Sequence, residues 1–149
     1  MLKPGDVAPN FSLRDQSGQK VSLRDFRKRR VLVYFYPKAD TPGCTAQACG
    51  LRDVSGQIGD TAVVGISPDP PGRQAKIDQK YGLGFPLLAD GDHAVADAYG
   101  TWGEKSMYGK KYMGIIRSAF LIDGRGKVEQ AWYKVSPKDT AANLLQALP

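Results

Sequence analysis

Two cysteines are the residues of this 149-residue chain best suited to chemistry, and they stand five positions apart, at Cys44 and Cys49. Both lie in the stretch VLVYFYPKADTPGCTAQAC, from Val31 to Cys49. Sulfur reacts as its thiolate, and the N-terminus of a helix favours that form. There the first backbone N–H groups have no intrahelical partner and the helix dipole is positive. Thr41 and Pro42 read as such a start, because threonine caps well and proline is favoured at the first helical position. Gly43 and Cys44 then fill the second and third positions. The sulfur thus stands where a capping box places a carboxylate. Gly43 permits close approach to the backbone, and the same N–H groups can hold a substrate oxygen. The plain alternative is that both cysteines are small buried hydrophobes on a packed helix.

Cys49 carries a geometric constraint. Five helical residues rise about 7.5 Å and turn about 140°, which puts the two Cα atoms about 8.6 Å apart. A disulfide needs them within roughly 7 Å. The two sulfurs therefore cannot bond while the helix is intact. Bonding requires the helix to unwind over a turn or more, giving a folded reduced state and a locally melted oxidised state.

The elements that must position these residues follow from pattern. Asn10–Leu13 and Lys20–Leu23 flank Asp15–Gly18 and read as a small hairpin. Val31–Tyr36 is a β-branched and aromatic run, expected as a central strand buried on both faces. Pro42 to about Val54 is expected to be helical, with Cys44, Ala48 and Leu51 on one face. Thr61–Ile66 reads as a second buried strand and Ser67–Gly72 as a loop. Gln74–Tyr81 is an amphipathic helix stopped by Gly82. Phe85–Leu88 reads as a short strand, His93–Tyr99 as a helix, and the glycine-punctuated Gly100–Gly114 as a surface loop with some extended structure. Ser118–Ile122 and Lys127–Tyr133 are strands joined by the turn Asp123–Gly126. Ser136–Asp139 is a capping-box-like start for a last helix to Leu148. The sum is one α/β domain over residues 1–149, with a mixed sheet flanked by helices.

Composition narrows the function. Hydrophobic residues make up 42% and charged residues 24%, ordinary for a globular protein that builds its own core. No apolar run approaches the ~20 residues of a membrane span. The start MLKPGDVAPNFSL has no apolar signal-peptide region, so a cytoplasmic location is expected. With one histidine, His93, and no second cysteine pair, a metal site lacks ligands. The net charge is +6, with basic residues at Arg27, Lys28, Arg29 and Arg30 and again at Lys105, Lys110 and Lys111. No nucleic-acid-binding motif accompanies them. A solvated surface is the reading favoured over a nucleic-acid partner.

The motif residues resemble those of the peroxiredoxins. The family pattern Pro-x-x-x-Thr/Ser-x-x-Cys is matched by Pro37, Thr41 and Cys44. YPKADTPGCTAQAC is similar to the bacterioferritin comigratory protein, or peroxiredoxin Q, subgroup. So are WGEKSMYGKKYMGI and PGDVAPNFSLRDQSG. The resemblance spans essentially the whole chain. It implies a thioredoxin-like fold in which the strand Val31–Tyr36 runs antiparallel to Arg117–Ile122, bringing Arg117 to Cys44. It also implies a thiol-dependent peroxidase acting on hydrogen peroxide and organic hydroperoxides. Cys44 would attack the peroxide and Cys49 would resolve the sulfenic acid as an intramolecular disulfide. Arg117 would hold the thiolate and the peroxide, and Thr41 would add its hydroxyl. Pro37 would shield the site, and the N–H groups of Gly43 and Cys44 would help bind the substrate. A thioredoxin-like dithiol would recycle the enzyme, with no cofactor, and a monomer is the implied assembly. Phe35, Tyr36 and Trp102 are expected near the site. Gln47 and Ala119 depart from the usual glutamate and hydroxyl residues. Two rivals remain: a general thiol–disulfide oxidoreductase, for which C-x-x-x-x-C is the wrong spacing, and a basic non-catalytic binding protein.

Overall fold

The computed structural model describes all residues, Met1–Pro149. Its centre is β3 (Val31–Phe35), five residues all buried. A strand with apolar residues at every position must be covered on both faces, and its two edges are also occupied. β4 (Ala62–Ser67) runs parallel to it on one side and β8 (Ser118–Ile122) antiparallel on the other. β5 (Leu87–Ala89) extends the parallel side and β9 (Val128–Trp132) the antiparallel side. The N-terminal hairpin, β1 (Ser12–Arg14) and β2 (Lys20–Ser22), joins through Arg14↔Ala89. The seven strands lie in the order β2-β1-β5-β4-β3-β8-β9. This is the mixed thioredoxin-like sheet expected from the sequence.

Side chains alternate across a strand, so β3 splits the core in two. Leu32 and Tyr34 face the three longer helices, α1 (Pro42–Asp53), α2 (Pro71–Tyr81) and α4 (Asp139–Ala147), meeting Leu51, Ile77 and Leu144. Val31, Val33 and Phe35 face the short α3 (Ala94–Ala98) and pack with Ala96, Tyr99 and Phe120. No helix is long and apolar enough to cross a membrane.

Three expectations need correction. α2 begins at Pro71, not Gln74. Pro70 is extended (φ −70°, ψ 159°) and Pro71 takes the first helical position, so the proline pair starts the helix instead of forming a loop. Gly100–Gly114, read as a surface loop with some extended structure, is extended through most of its length. It holds a regular hairpin, β6 (Trp102–Met107) and β7 (Lys110–Ile115), in a sheet of its own. Its two-residue turn, Tyr108–Gly109, has φ of 52° and 79°, the conformation that matches the twist of paired strands. Tyrosine at such a position hid the turn. Finally, α4 starts without the capping box read at Ser136. Lys138 occupies the cap with helical backbone angles, and the Ser136 hydroxyl makes no hydrogen bond.

Gly65 shows how tightly the helix-covered face is packed. A Cβ there would stand 2.8 Å from both Cζ and Oη of Tyr34. The Tyr34 hydroxyl is buried without a partner, and burial raises its pKa well above the ordinary tyrosine value. Gly65→Ala is therefore expected to cost about 1–3 kcal/mol by overpacking. Tyr34→Phe is expected to be neutral or stabilising, because it removes a buried group whose unmet desolvation costs about 1–3 kcal/mol. Denaturant unfolding of the two variants checks both signs.

Candidate active site

Cys44 is the third residue of α1, the helix that follows β3 after the bend at half-buried Pro37. It is only 3% exposed and belongs to the helix-side core. Its sulfur nevertheless has a polar partner. Arg117 Nη2 donates to its Sγ at 3.4 Å. The two residues are 73 positions apart, and strand pairing brings them together. In the β3–β8 register Phe35 lies opposite Ser118, so the end of one strand is beside the start of the other. This is the juxtaposition the resemblance implied.

Arg117 is held from several sides. Its Nη1 donates to Gln47 Oε1 at 2.7 Å, and its carbonyl accepts the Val135 N–H at 3.0 Å. Gln47 is fully buried and donates through Nε2 to Thr140 Oγ1 at 2.9 Å. Thr140 in turn donates to the Ser136 carbonyl at 3.2 Å. One side chain of α1 thus ties the guanidinium to the start of α4. Gly43 leaves room for this arrangement, since a Cβ there would lie 3.2 Å from Arg117 Nη2 and 3.4 Å from Pro137 Cγ.

Behind the sulfur the wall is apolar. Tyr34, Tyr36, Ala48, Ile77, Leu83 and Leu87 close on Cys44 around a gap of about 10 Å³, too small for more than a single water. The Tyr36 hydroxyl is tied to buried Gln74, and burial raises its pKa. Desolvation, then the charge of Arg117, pushes the Lys105 ammonium below its ordinary pKa, and Cys44 partly opposes this.

Several expected neighbours are placed elsewhere. The Thr41 residue stands at the N-cap with extended backbone, but its hydroxyl donates to the Lys38 carbonyl at 2.9 Å and caps nothing. Only Tyr36 of the three named aromatics lies against Cys44. Phe35 points to the opposite sheet face, against Tyr99 and Phe120, as strand alternation requires. Trp102 stacks on His93 with ring centroids 3.8 Å apart. Cys49 is free and half-buried. It opens on a separate groove with Thr41, Pro42, Thr45 and Tyr81. α1 is continuous between the cysteines, the folded one of the two states derived above. No three metal-ligating side chains stand together.

Gln47, Thr140 and Lys105 were not among the site residues read from sequence. Gln47 had a signal: at i+3 from Cys44 it shares that residue's face, where a polar side chain needs a partner. Thr140 and Lys105 had none, because their places depend on helix and hairpin docking.

A thioredoxin-like sheet carrying an arginine-bound cysteine at the head of the helix after β3 defines a class, that of thiol-based redox proteins. The comparisons with known proteins are more specific. Residues 4–131 match the model of the AhpC/TSA family. Peroxiredoxin Bcp of Escherichia coli K12 is 54% identical over 133 residues, covering 88% of this chain and 85% of that one. Peroxiredoxin Bcp of Bacillus subtilis is 42% identical over 149 residues, 99% of this chain and 95% of that one. Among solved structures, peroxidoxin BcpB of Mycobacterium tuberculosis superposes with a TM-score of 0.87 at 34% identity, over 99% of this chain and 96% of that one. A variant of Xanthomonas campestris peroxiredoxin Q gives 0.87 at 35%, over 92% and 88%. The chain belongs to the AhpC/TSA family, among its Bcp and peroxiredoxin Q members, and its function is that of a thiol peroxidase.

The tie between Gln47 and α4 is open to measurement. Thr140→Val leaves the buried Gln47 amide without its acceptor and is expected to cost about 1–3 kcal/mol. It is also expected to slow alkylation of Cys44 by iodoacetamide, with Thr140→Ser restoring both. An unchanged alkylation rate in the valine variant would show that Arg117 keeps its place without α4.

Proposed function

We propose that this protein reduces hydrogen peroxide and organic hydroperoxides as an atypical two-cysteine peroxidase, with Cys44 peroxidatic and Cys49 resolving. The observation that carries the reading is the Arg117 guanidinium at 3.4 Å from the Cys44 sulfur, at the head of α1. A fixed positive charge there favours the thiolate and awaits the negative charge that develops on the peroxide oxygens. The first-turn N–H groups of Gly43 and Cys44 have no intrahelical partner, and the Thr41 side chain does not occupy them. They can donate to a peroxide oxygen. The Thr41 hydroxyl joins that network once it leaves the Lys38 carbonyl. Pro37, in the bend before the helix, limits access of water.

The chemistry balances in three steps. The Cys44 thiolate attacks the distal peroxide oxygen, the O–O bond breaks, and the departing alkoxide or hydroxide takes a proton. Cys44 is then a sulfenic acid. The Cys49 thiolate attacks that sulfur, an S–S bond forms, and hydroxide leaves as water after protonation. A thioredoxin-type dithiol reduces the disulfide by exchange, becoming a disulfide itself. The middle step requires α1 to unwind, because an intact helix holds the two Cα atoms about 8.6 Å apart. Organic hydroperoxides are included because one related solved structure concerns the alkyl peroxide reduction activity of the Xanthomonas campestris bacterioferritin comigratory protein.

Cys44→Ser is expected to abolish peroxide consumption in a thioredoxin-coupled assay. Cys49→Ser is expected to allow one turnover and leave a sulfenic acid on Cys44, detected by mass spectrometry. Arg117→Lys is expected to lower kcat/KM by about 10²-fold, because an ammonium lacks the fork that serves sulfur and Gln47 together. Full activity in the Cys44 variant would refute the reading.

A further inference from the structure

The basic run Arg27–Arg30 reads as one patch in the sequence, but the structure distributes it. Arg30 Nε donates to Glu129 Oε1 at 2.7 Å. The Arg29 guanidinium lies 5.4 Å from the centre of the Phe26 ring. Lys28 takes left-handed backbone angles (φ 74°) and its N–H meets the Gly124 carbonyl. Arg27 alone turns into a cleft of about 320 Å³, where Arg24 and Arg125 join it. This cleft lies at the pole opposite Cys44. Val31 and Ile122 help line it, and they pair at the far end of the ladder whose near end is Phe35 and Ser118.

Its chemistry is lopsided. None of the three arginines has a carboxylate partner or a side-chain hydrogen bond, though ion pairs form elsewhere on the molecule. The one carboxylate on the wall, Asp123, is engaged by the backbone N–H groups of Arg125 and Lys127 at 2.9 and 3.0 Å. Three guanidiniums against that single carboxylate leave two positive charges in excess. Ala8, Leu23, Phe26 and Val31 form an apolar floor, with the Asn10 amide as the one further polar side chain in the lining. The volume falls at the lower end of small-molecule sites, roughly 300–1,000 Å³.

We propose that this cleft binds a small phosphate monoester whose apolar or aromatic body lies on the Ala8–Phe26 floor and whose phosphate is held by Arg24, Arg27 and Arg125. A phosphate monoester carries nearly two negative charges near neutral pH, which matches the excess. The planar fork of a guanidinium fits phosphate oxygens in pairs. A bare inorganic ion would leave the apolar floor unused. The site is distinct from the peroxide site, and Cys44 takes no part in it.

The test is calorimetric titration of the full-length protein with phenyl phosphate, AMP, inorganic phosphate and phenol, at low and at moderate salt. Phenyl phosphate or AMP is expected to bind about tenfold or more tightly than inorganic phosphate, and phenol not measurably. AMP binding above phenyl phosphate identifies a mononucleotide as the source, and the reverse order a simpler aryl phosphate. Either order supports the site. Arg27→Ser and Arg125→Ser, both at the surface, are each expected to weaken binding about tenfold. Arg14→Ser removes the same charge from an exposed position outside the cleft and is expected to change it little. Peroxide consumption should be unaltered in all three variants. The proposal is overturned if Arg14→Ser weakens binding as much as Arg27→Ser, which would mean attraction by net charge only. Equal affinity for phenyl phosphate and inorganic phosphate, or no saturable binding by either ester, would also overturn it.

Discussion

The contact between the Arg117 guanidinium and the Cys44 sulfur is the interaction on which the active end of this molecule depends. Cys44 is almost wholly withdrawn from solvent, among aromatic and aliphatic side chains. Enclosed by such side chains alone, the sulfur would meet no polar partner. The Arg117 guanidinium supplies one, and hydrogen bonds to a charged group contribute about 1.5–3 kcal/mol each. The same cysteine is therefore both a packed core residue and the partner of a cation. Packing closes its back, and the guanidinium stands at its front.

Holding that cation requires much of the fold. Its backbone is tied to the segment after β9 through Val135, and its second nitrogen to α1 through Gln47. Gln47 reaches on to α4 through Thr140. A buried amide satisfied at both ends is fixed in orientation, which fixes the fork of the guanidinium in turn. A glutamine in this place orients Arg117 without neutralising it, so the positive charge remains directed at sulfur.

On the proposed two-cysteine chemistry the same helix must also give way. Cys44 and Cys49 share an intact α1 and look onto different surroundings, one the core and the other an open groove. Disulfide formation cannot occur without unwinding the segment that carries Gln47. Melting α1 would thus dissolve the Gln47 contact that aligns the Arg117 guanidinium, so on the proposed chemistry the geometry suited to peroxide attack belongs to the folded helix alone.

How much of this was legible beforehand follows physical lines. Local rules sufficed for β3, for the start of α1, for the turn at Asp123–Gly126 and for the sulfur at the third helical position, because each depends on neighbours in the chain. They failed at Tyr108–Gly109, where a tyrosine adopts positive φ, and at Pro70–Pro71, where punctuation read as a loop begins a helix. They also misplaced Phe35 and Trp102, since nearness in sequence to Cys44 or richness in aromatic rings does not say which face of a sheet a ring covers. The chain by itself determined which sulfur stands at a helix head, as that is a matter of spacing and helix-start residues. Only the tertiary structure decided what surrounds that sulfur. Arg117, Gln47 and Thr140 meet through strand register and helix docking, and such contacts join residues whose separation along the chain carries no local signal.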